Sequence, residues 1–156
     1  MPLLMWRVLV ALAVFSTVGC HMSLENGGGD DMADAGTTSQ TCIDAKSHSD
    51  LAWIQDNIFT KSCTFSGCHR GTAPGAGFLS LEKGLSHDQL VNQPTKTETG
   101  WMRVTAGTSS TSYLLVAIGS MPGPKPSGGT MPIGSPALCQ EKLDAIKRWV
   151  EGGAKP

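Results

Sequence analysis

Two cysteines and an adjacent histidine stand close together near the middle of the chain. Cys63 and Cys68 are separated by four residues, and His69 follows the second cysteine directly. Each thiol can add to one vinyl group of a haem, and the imidazole that follows can then bind the iron as its proximal ligand. The usual spacing for this chemistry has two residues between the cysteines, so the segment is a longer variant of that pattern.

Two other interpretations of the same three residues compete with haem attachment. Cys63 and Cys68 could form a disulfide in a protein that holds no haem, or the three side chains could bind zinc. Zinc is disfavoured because the adjacent Cys68 and His69 have difficulty turning toward one tetrahedral metal, and the pattern supplies no fourth ligand. The disulfide therefore stays open as the alternative.

The N-terminal part of the chain indicates export and lipid anchoring. Residues 1–19 have the short basic start and apolar run of a signal peptide, and the run is too short to span a bilayer as a helix. Thr17 to Cys20 is similar to a bacterial lipobox, which predicts cleavage before Cys20 and acylation of the new terminal cysteine. Residues 20–41 are then a lipidated flexible tether, because they contain little apolar surface to bury. The residue after the acylated cysteine is His21 and not the Asp that acts as a retention signal at this position. This favours an anchor in the outer membrane.

Residues 42–156 are enough for one small domain, whose core would gain from a staple or an embedded cofactor. The formal net charge is −1, so nothing indicates a nucleic-acid partner. The chain contains no Ser-His-Asp context, P-loop, dinucleotide-binding glycine motif or paired-carboxylate arrangement. We therefore expect a protein without catalytic activity of its own.

The count of cysteines supports this organisation. Of the five cysteines, Cys20 is assigned to lipid and Cys63 and Cys68 to haem. Cys42 and Cys139 remain, one toward each end of the domain, and two such thiols in an exported protein are expected to form a disulfide. Closing a loop of that length contributes roughly 4 kcal/mol in the chain-entropy model.

Apolar spacing and capping residues predict a mainly α domain with long irregular connections. The last helix is the clearest, because Leu143, Ile146 and Trp149 share one face and Gly152-Gly153 stops it. The expected helices run from Ser49 or Asp50 to about Phe59, over Ser86–Val91 with a Ser cap, over Thr111–Ile118, and from Ser135 or Cys139 to Gly152.

The order of these features resembles class I cytochrome c domains, and most of all the monohaem cytochrome-c-like domains of bacterial lipoproteins. The resemblance covers most of residues 42–156. It rests on Phe59 before Ser62-Cys63, on Cys68-His69, on Ser112-Tyr113-Leu114, on Met131-Pro132-Ile133-Gly134, and on Ile146 to Ala154. It implies a small cytochrome c-like fold in which the N- and C-terminal helices pack together and irregular loops cover one covalent haem c.

The resemblance also implies a second iron ligand, because family members use a methionine in the loop before the last helix. Met131 occupies that place, and Met121 is the second choice. Met102 and His87 are further candidates. Pro132 stiffens the loop, since a proline restricts its own φ and the conformation of the residue before it. His/Met ligation raises the reduction potential and suits electron transfer.

The function implied is that of a membrane-anchored electron carrier of the bacterial cell envelope, exchanging single electrons with redox partner proteins in the periplasm or at the cell surface. Arg70 and Arg103 are candidates to pair with the haem propionates. Trp53 either covers the haem edge or lines the surface. The alternative is a haem-free structural or binding lipoprotein on the same fold, with a disulfide between Cys63 and Cys68.

Overall fold

The computed structural model describes residues 39–65, 67–71 and 76–156. The predicted signal peptide, Cys20 and most of the predicted tether lie outside these residues. The described chain is mainly helical, and its backbone pairing outside the helices consists of isolated bridges such as that between Val91 and Val104. Its elements are α1 (Gln40–Ala45), α2 (Leu51–Ile54), a π-helical turn (Gln55–Phe59), α3 (Thr60–Ser62), α4 (Ser86–Leu90), a 3₁₀ turn (Ser109–Thr111), α5 (Tyr113–Ala117) and α6 (Gln140–Glu151).

The helical run that precedes the cysteine motif begins at a capped residue and extends further than predicted. The Asp50 carboxylate accepts a hydrogen bond from the backbone N–H of Trp53 at 2.8 Å, which satisfies one of the free N–H groups of the first turn. The run then continues through the π-helical turn and α3 to Ser62, rather than ending near Phe59. The helical run therefore ends directly before Cys63 and fixes the position of that residue.

Helix α6 follows its prediction closely. Cys139 is its N-cap residue, and the helix ends at Glu151, immediately before Gly152. Ile146, Trp149 and Val150 are buried on one face, as the apolar spacing requires. The indole N–H of Trp149 donates to the backbone carbonyl of Lys155 at 2.7 Å, which anchors the residues after the helix.

A disulfide between Cys42 and Cys139 joins α1 to the start of α6, and this is the pairing that the sequence predicts. Arg148 of α6 reinforces the junction, because its Nη2 donates to the carbonyls of Ala45 at 2.6 Å and His48 at 2.8 Å. Helix α1 begins at Gln40, so the last two residues of the predicted tether belong to the folded domain.

The main core forms where the run from α2 to α3 packs against α6. Ile54, Ile58 and Ile146 are fully buried, and Phe59 and Trp149 lie beside them in the same cluster. None of the helices in the described residues is long and apolar enough to cross a membrane.

The shorter helices differ from their predictions at their first residues. Ser86 is not the cap of α4: it lies inside the helix, is buried, and donates from its Oγ to Gln55 Oε1 at 2.6 Å. Helix α5 is shorter than the predicted Thr111–Ile118, because the chain first makes the 3₁₀ turn and enters the helix at Tyr113.

Candidate functional site

A cavity of about 660 Å³ opens beside the helical core, and the residues of the predicted haem site meet there. Cys63, Cys68, His69 and Met131 all line it. They come from two segments that are far apart in the sequence. The volume lies within the range of roughly 300–1,000 Å³ that is typical of small-molecule and cofactor sites.

The cysteine segment is a closed loop with a tighter turn inside it. The N–H of His69 donates to the carbonyl of Cys63 at 3.0 Å, and the N–H of Cys68 donates to the carbonyl of Phe65 at 2.9 Å. Gly67 has a φ of +83°, a left-handed conformation that glycine adopts without steric cost. The turn returns Cys68 and His69 to the same wall of the cavity as Cys63.

The orientation of His69 is fixed by a backbone group. Its Nδ1 lies 3.2 Å from the carbonyl oxygen of Leu79, which can accept a hydrogen bond from a protonated Nδ1. This bond selects the tautomer in which Nε2 carries the lone pair, and metal-binding histidines are commonly held in this way. Burial has the largest effect on the pKa of His69 and lowers it; the bond to Leu79 opposes this in part, and the charge of Arg103 makes a smaller contribution that lowers the pKa further. The imidazole is therefore neutral at neutral pH, as metal ligation requires.

Gln55 connects the π-helical turn to the segment that holds His69. Its buried Nε2 donates to the carbonyl of Leu81 at 2.9 Å, and its Oε1 accepts from Ser86. The N–H of Leu81 donates in turn to the carbonyl of His69 at 2.8 Å. A chain of hydrogen bonds thus runs from the core helix to the histidine backbone, and the sequence pattern gave no signal for it.

Cys63 and Cys68 are free thiols in the structure. Burial raises the pKa of the Cys63 thiol to about 12, and the neighbouring Cys68 adds to this shift. Cys63 is therefore a neutral thiol at neutral pH. Zinc binds thiolates, so this environment is unfavourable to the zinc interpretation.

The position of Met131 distinguishes it from the other candidates for a second iron ligand. Met131 lines the cavity, and its N–H is held by the carbonyl of Ala117 at 2.8 Å. Met121 also packs against the core but is not among the described residues that line the cavity. Met102 is 42% exposed, and both ring nitrogens of His87 are engaged, one by Asp88 and one by the carbonyl of Ala154.

Arg103 and Tyr113 add polar groups to the apolar cavity wall. Arg103 donates to the carbonyls of Gln89 at 2.8 Å and Gly77 at 3.3 Å, so its guanidinium is held in place. The Tyr113 Oη is buried and has no hydrogen-bond partner of acceptable geometry among the described residues, although Thr97 lies close enough to lower its pKa slightly. Burial raises this pKa, so the hydroxyl keeps its proton. Such an unpaired group indicates a missing partner.

Two residues predicted near the site lie elsewhere. Arg70 is exposed and pairs with Glu82 at 3.7 Å rather than lining the cavity. Trp53 was expected either to cover the haem edge or to line the surface; it does not line the cavity, and its half-buried ring stacks on His48 with the ring centroids 4.5 Å apart. The place of the Tyr113 hydroxyl at the cavity is the main feature that the sequence analysis missed, since Tyr113 enters there only within the Ser112-Tyr113-Leu114 motif.

The donor set fits a covalently attached haem. Two free thiols, a neutral imidazole of fixed tautomer and a thioether share one cavity, and the buried Tyr113 hydroxyl, which has no hydrogen-bond partner of acceptable geometry among the described residues, belongs to a residue that lines it as well. Comparison with known proteins adds no assignment, since no protein-family model, curated protein or solved structure matches this chain.

Proposed function

We propose that the protein is a monohaem c-type electron carrier of cytochrome c-like fold. The observation that carries the proposal is the meeting of Cys63, Cys68, His69 and Met131 on one cavity of cofactor size. Met131 stands 62 residues after His69 in the sequence, so its place on the same cavity depends on the fold rather than on local spacing.

The chain's own residues would do three things for the cofactor. Cys63 and Cys68 would hold it by thioether bonds, formed by addition of each S–H across a vinyl group. His69 and Met131 would be the iron ligands, the first aligned by the Leu79 carbonyl and the second held by its backbone bond to Ala117. When bound, the haem supplies a one-electron Fe(III)/Fe(II) couple.

The polar residues of the cavity wall would form hydrogen bonds with the propionate carboxylates of the haem. Arg103 supplies a fixed positive charge, and Tyr113 supplies a hydroxyl that lacks a partner among the described residues. Both are donors, and a carboxylate is an acceptor that would satisfy them. Arg103 is therefore favoured over Arg70 for this role.

The anchor belongs to the same proposal. Acylation of Cys20 would hold the carrier on the cell envelope, most simply on the outer membrane, and residues 20–39 would separate the domain from the lipid surface. Redox proteins of the periplasm or cell surface would then be its partners. Replacing Cys20 with Ser should release the protein into the soluble fraction without changing its absorption spectrum.

Expression of the full chain in a host that attaches haem covalently tests the proposal. We expect one haem of added mass, a sharp ferrous α-band, and pigment that acid-acetone does not extract. A colourless protein with a disulfide between Cys63 and Cys68 would contradict the proposal and support the haem-free lipoprotein.

A matched pair of variants tests the ligand assignment. Met131→Ala should abolish the weak ferric charge-transfer band at the red end of the spectrum while the haem stays attached, because the thioether would be lost from the iron. Met121→Ala should leave the band in place, because Met121 is not among the described residues that line the cavity. The reverse result would assign the ligand to Met121.

A further inference from the structure

The mouth of the cavity carries two exposed apolar side chains. Phe65 is 51% exposed and Ile133 is 49% exposed, and both line the cavity. Each belongs to a segment that brings a proposed haem contact: Phe65 lies between the two cysteines, and Ile133 follows Met131 by two residues. Large apolar groups gathered at the rim of a site mark a surface that something else covers.

Phe65 owes its position to the four-residue spacing of the cysteines. The turn from Phe65 to Cys68, closed by the bond of 2.9 Å, spans the number of residues that the usual two-residue spacing would have. In that usual spacing the first cysteine would occupy the position of Phe65. Here the cysteine is moved two residues back, to the end of the helical run, and the vacated position carries a phenyl ring.

We propose that Phe65 is a cover for the haem, an inference that rests on the proposed function. Its ring packs against the porphyrin at the mouth of the cavity and keeps water away from that edge. The occupant is the porphyrin rather than a partner protein, because Phe65 lines the same cavity as Cys63 and Cys68 and lies between them in the sequence. An apolar ring in this place has no polar group to offer a charged partner.

This cover has a consequence for the iron. Removing water from around a haem lowers the local dielectric, and a low dielectric disfavours the oxidised form, which carries the additional positive charge. Phe65 therefore raises the reduction potential. The longer spacing of the cysteines then raises the reduction potential of the iron, in addition to attaching the haem.

Potentiometric titration of the full-length haem protein tests the inference with three variants. Phe65→Ser should shift the midpoint potential to a lower value, and Phe65→Leu should restore most of it, because Leu is apolar. Phe78→Ser is the matched control: Phe78 is 45% exposed, lies outside the main cavity and has Lys96 Nζ 4.5 Å above its ring. We expect the potential of this control to equal that of the wild type.

A second measurement needs no variant, and so it holds even where Phe65→Ser fails to fold. Selective labelling of phenylalanine rings and NMR of the diamagnetic ferrous protein should show a large ring-current shift for Phe65 and almost none for Phe78. A Phe65 ring at its unshifted frequency, or an unchanged potential in a folded Phe65→Ser variant, would overturn the inference while leaving the proposed function in place. A wild-type chain without added haem mass would overturn the proposed function itself.

Discussion

The two sides of this domain differ in how completely the chain fills them. On the helical side, Ile54, Ile58 and Val150 are fully buried and pack in one hydrophobic cluster. On the cavity side, the buried hydroxyl of Tyr113 has no partner of acceptable geometry among the described residues, and Phe65 is left exposed. The helical side is therefore a core that the chain fills by itself, whereas the other side leaves a cavity of about 660 Å³, a size typical of small-molecule and cofactor sites.

The largest effect on the free energy of unfolding is expected from loss of the disulfide between Cys42 and Cys139. Replacing Cys42 and Cys139 together with Ala removes a crosslink between residues 97 positions apart. We expect a loss of about 4 kcal/mol in the free energy of unfolding, measured by circular dichroism in urea. The haem spectrum of the folded variant should be unchanged, because neither cysteine lines the cavity. A lost or altered haem spectrum would show that the two sides are not independent.

The second prediction concerns Arg148 and its two carbonyl partners. Arg148→Leu leaves the carbonyls of Ala45 and His48 without their charged donor, which should cost about 1.5–3 kcal/mol in unfolding free energy. The neighbouring substitution Lys147→Leu is the control. Lys147 pairs with Glu151 on the partly exposed surface of α6, so its loss should cost less than about 1 kcal/mol. If the two variants lost the same unfolding free energy, the bonds from Arg148 to α1 would not stabilise the junction between α1 and α6.

The third prediction is that Tyr113→Phe changes the unfolding free energy in opposite directions in the haem-free and the haem-loaded protein. In the haem-free chain, Tyr113→Phe removes a buried hydroxyl that has no hydrogen-bond partner of acceptable geometry among the described residues, so it should stabilise the fold by roughly 1–3 kcal/mol. In the haem-loaded protein the same substitution removes a donor that the cofactor would satisfy, so it should destabilise. Urea titrations of both forms, prepared with and without haem attachment, give the two values. The same sign in both forms would show that Tyr113 does not meet the cofactor.

The smallest prediction concerns the cap of α2 and its dependence on pH. The cap of α2 is Asp50. A hydrogen bond with His48 is the main cause that lowers the pKa of the Asp50 carboxyl, and the bond from the Trp53 N–H lowers this pKa further. A lowered folded-state pKa stabilises the fold when the carboxyl is ionised, above its unfolded-state pKa of about 3.9, and this contribution is lost as the pH falls through the folded-state value.

Asp50→Ala should therefore cost about 1 kcal/mol at neutral pH. Asp50→Asn keeps a capping oxygen but not the charge, so it should lie between the wild type and Asp50→Ala. The difference between wild type and Asp50→Asn should shrink in urea titrations as the pH falls through the lowered folded-state pKa of Asp50, and vanish below it, where the wild-type carboxyl is protonated. A difference that persists there would assign it to hydrogen-bond geometry rather than to charge.

The sequence predicts the elements whose signals are local. Helix α6 has its stop at Gly152 and an unbroken apolar face, and both are readable without knowledge of any other segment. The pairing of Cys42 with Cys139 was predictable because the other cysteines had assignments. Met131 could be placed only through resemblance, and its position on the cavity wall is consistent with that.

The features that the sequence did not predict depend on contacts between distant segments. The π-helical turn contains Gln55, whose side chain reaches Leu81 and Ser86, and periodicity within one helix carries no record of such partners. Ser86 has the residue type of a helix cap, yet its hydroxyl is used for this contact instead. The unpaired hydroxyl of Tyr113 is likewise visible only when the walls of the cavity have been assembled.

The bond between Cys42 and Cys139 also decides how the domain would respond to mechanical load. A pull on the chain before Cys42 enters the domain almost at its first helix, and the covalent link passes the force straight to the start of α6. The polypeptide between the two cysteines, which includes His69 and Met131, is bypassed and bears none of that tension. A domain held at its N-terminal end could thus be tugged by its surroundings while the walls of its cavity keep their spacing.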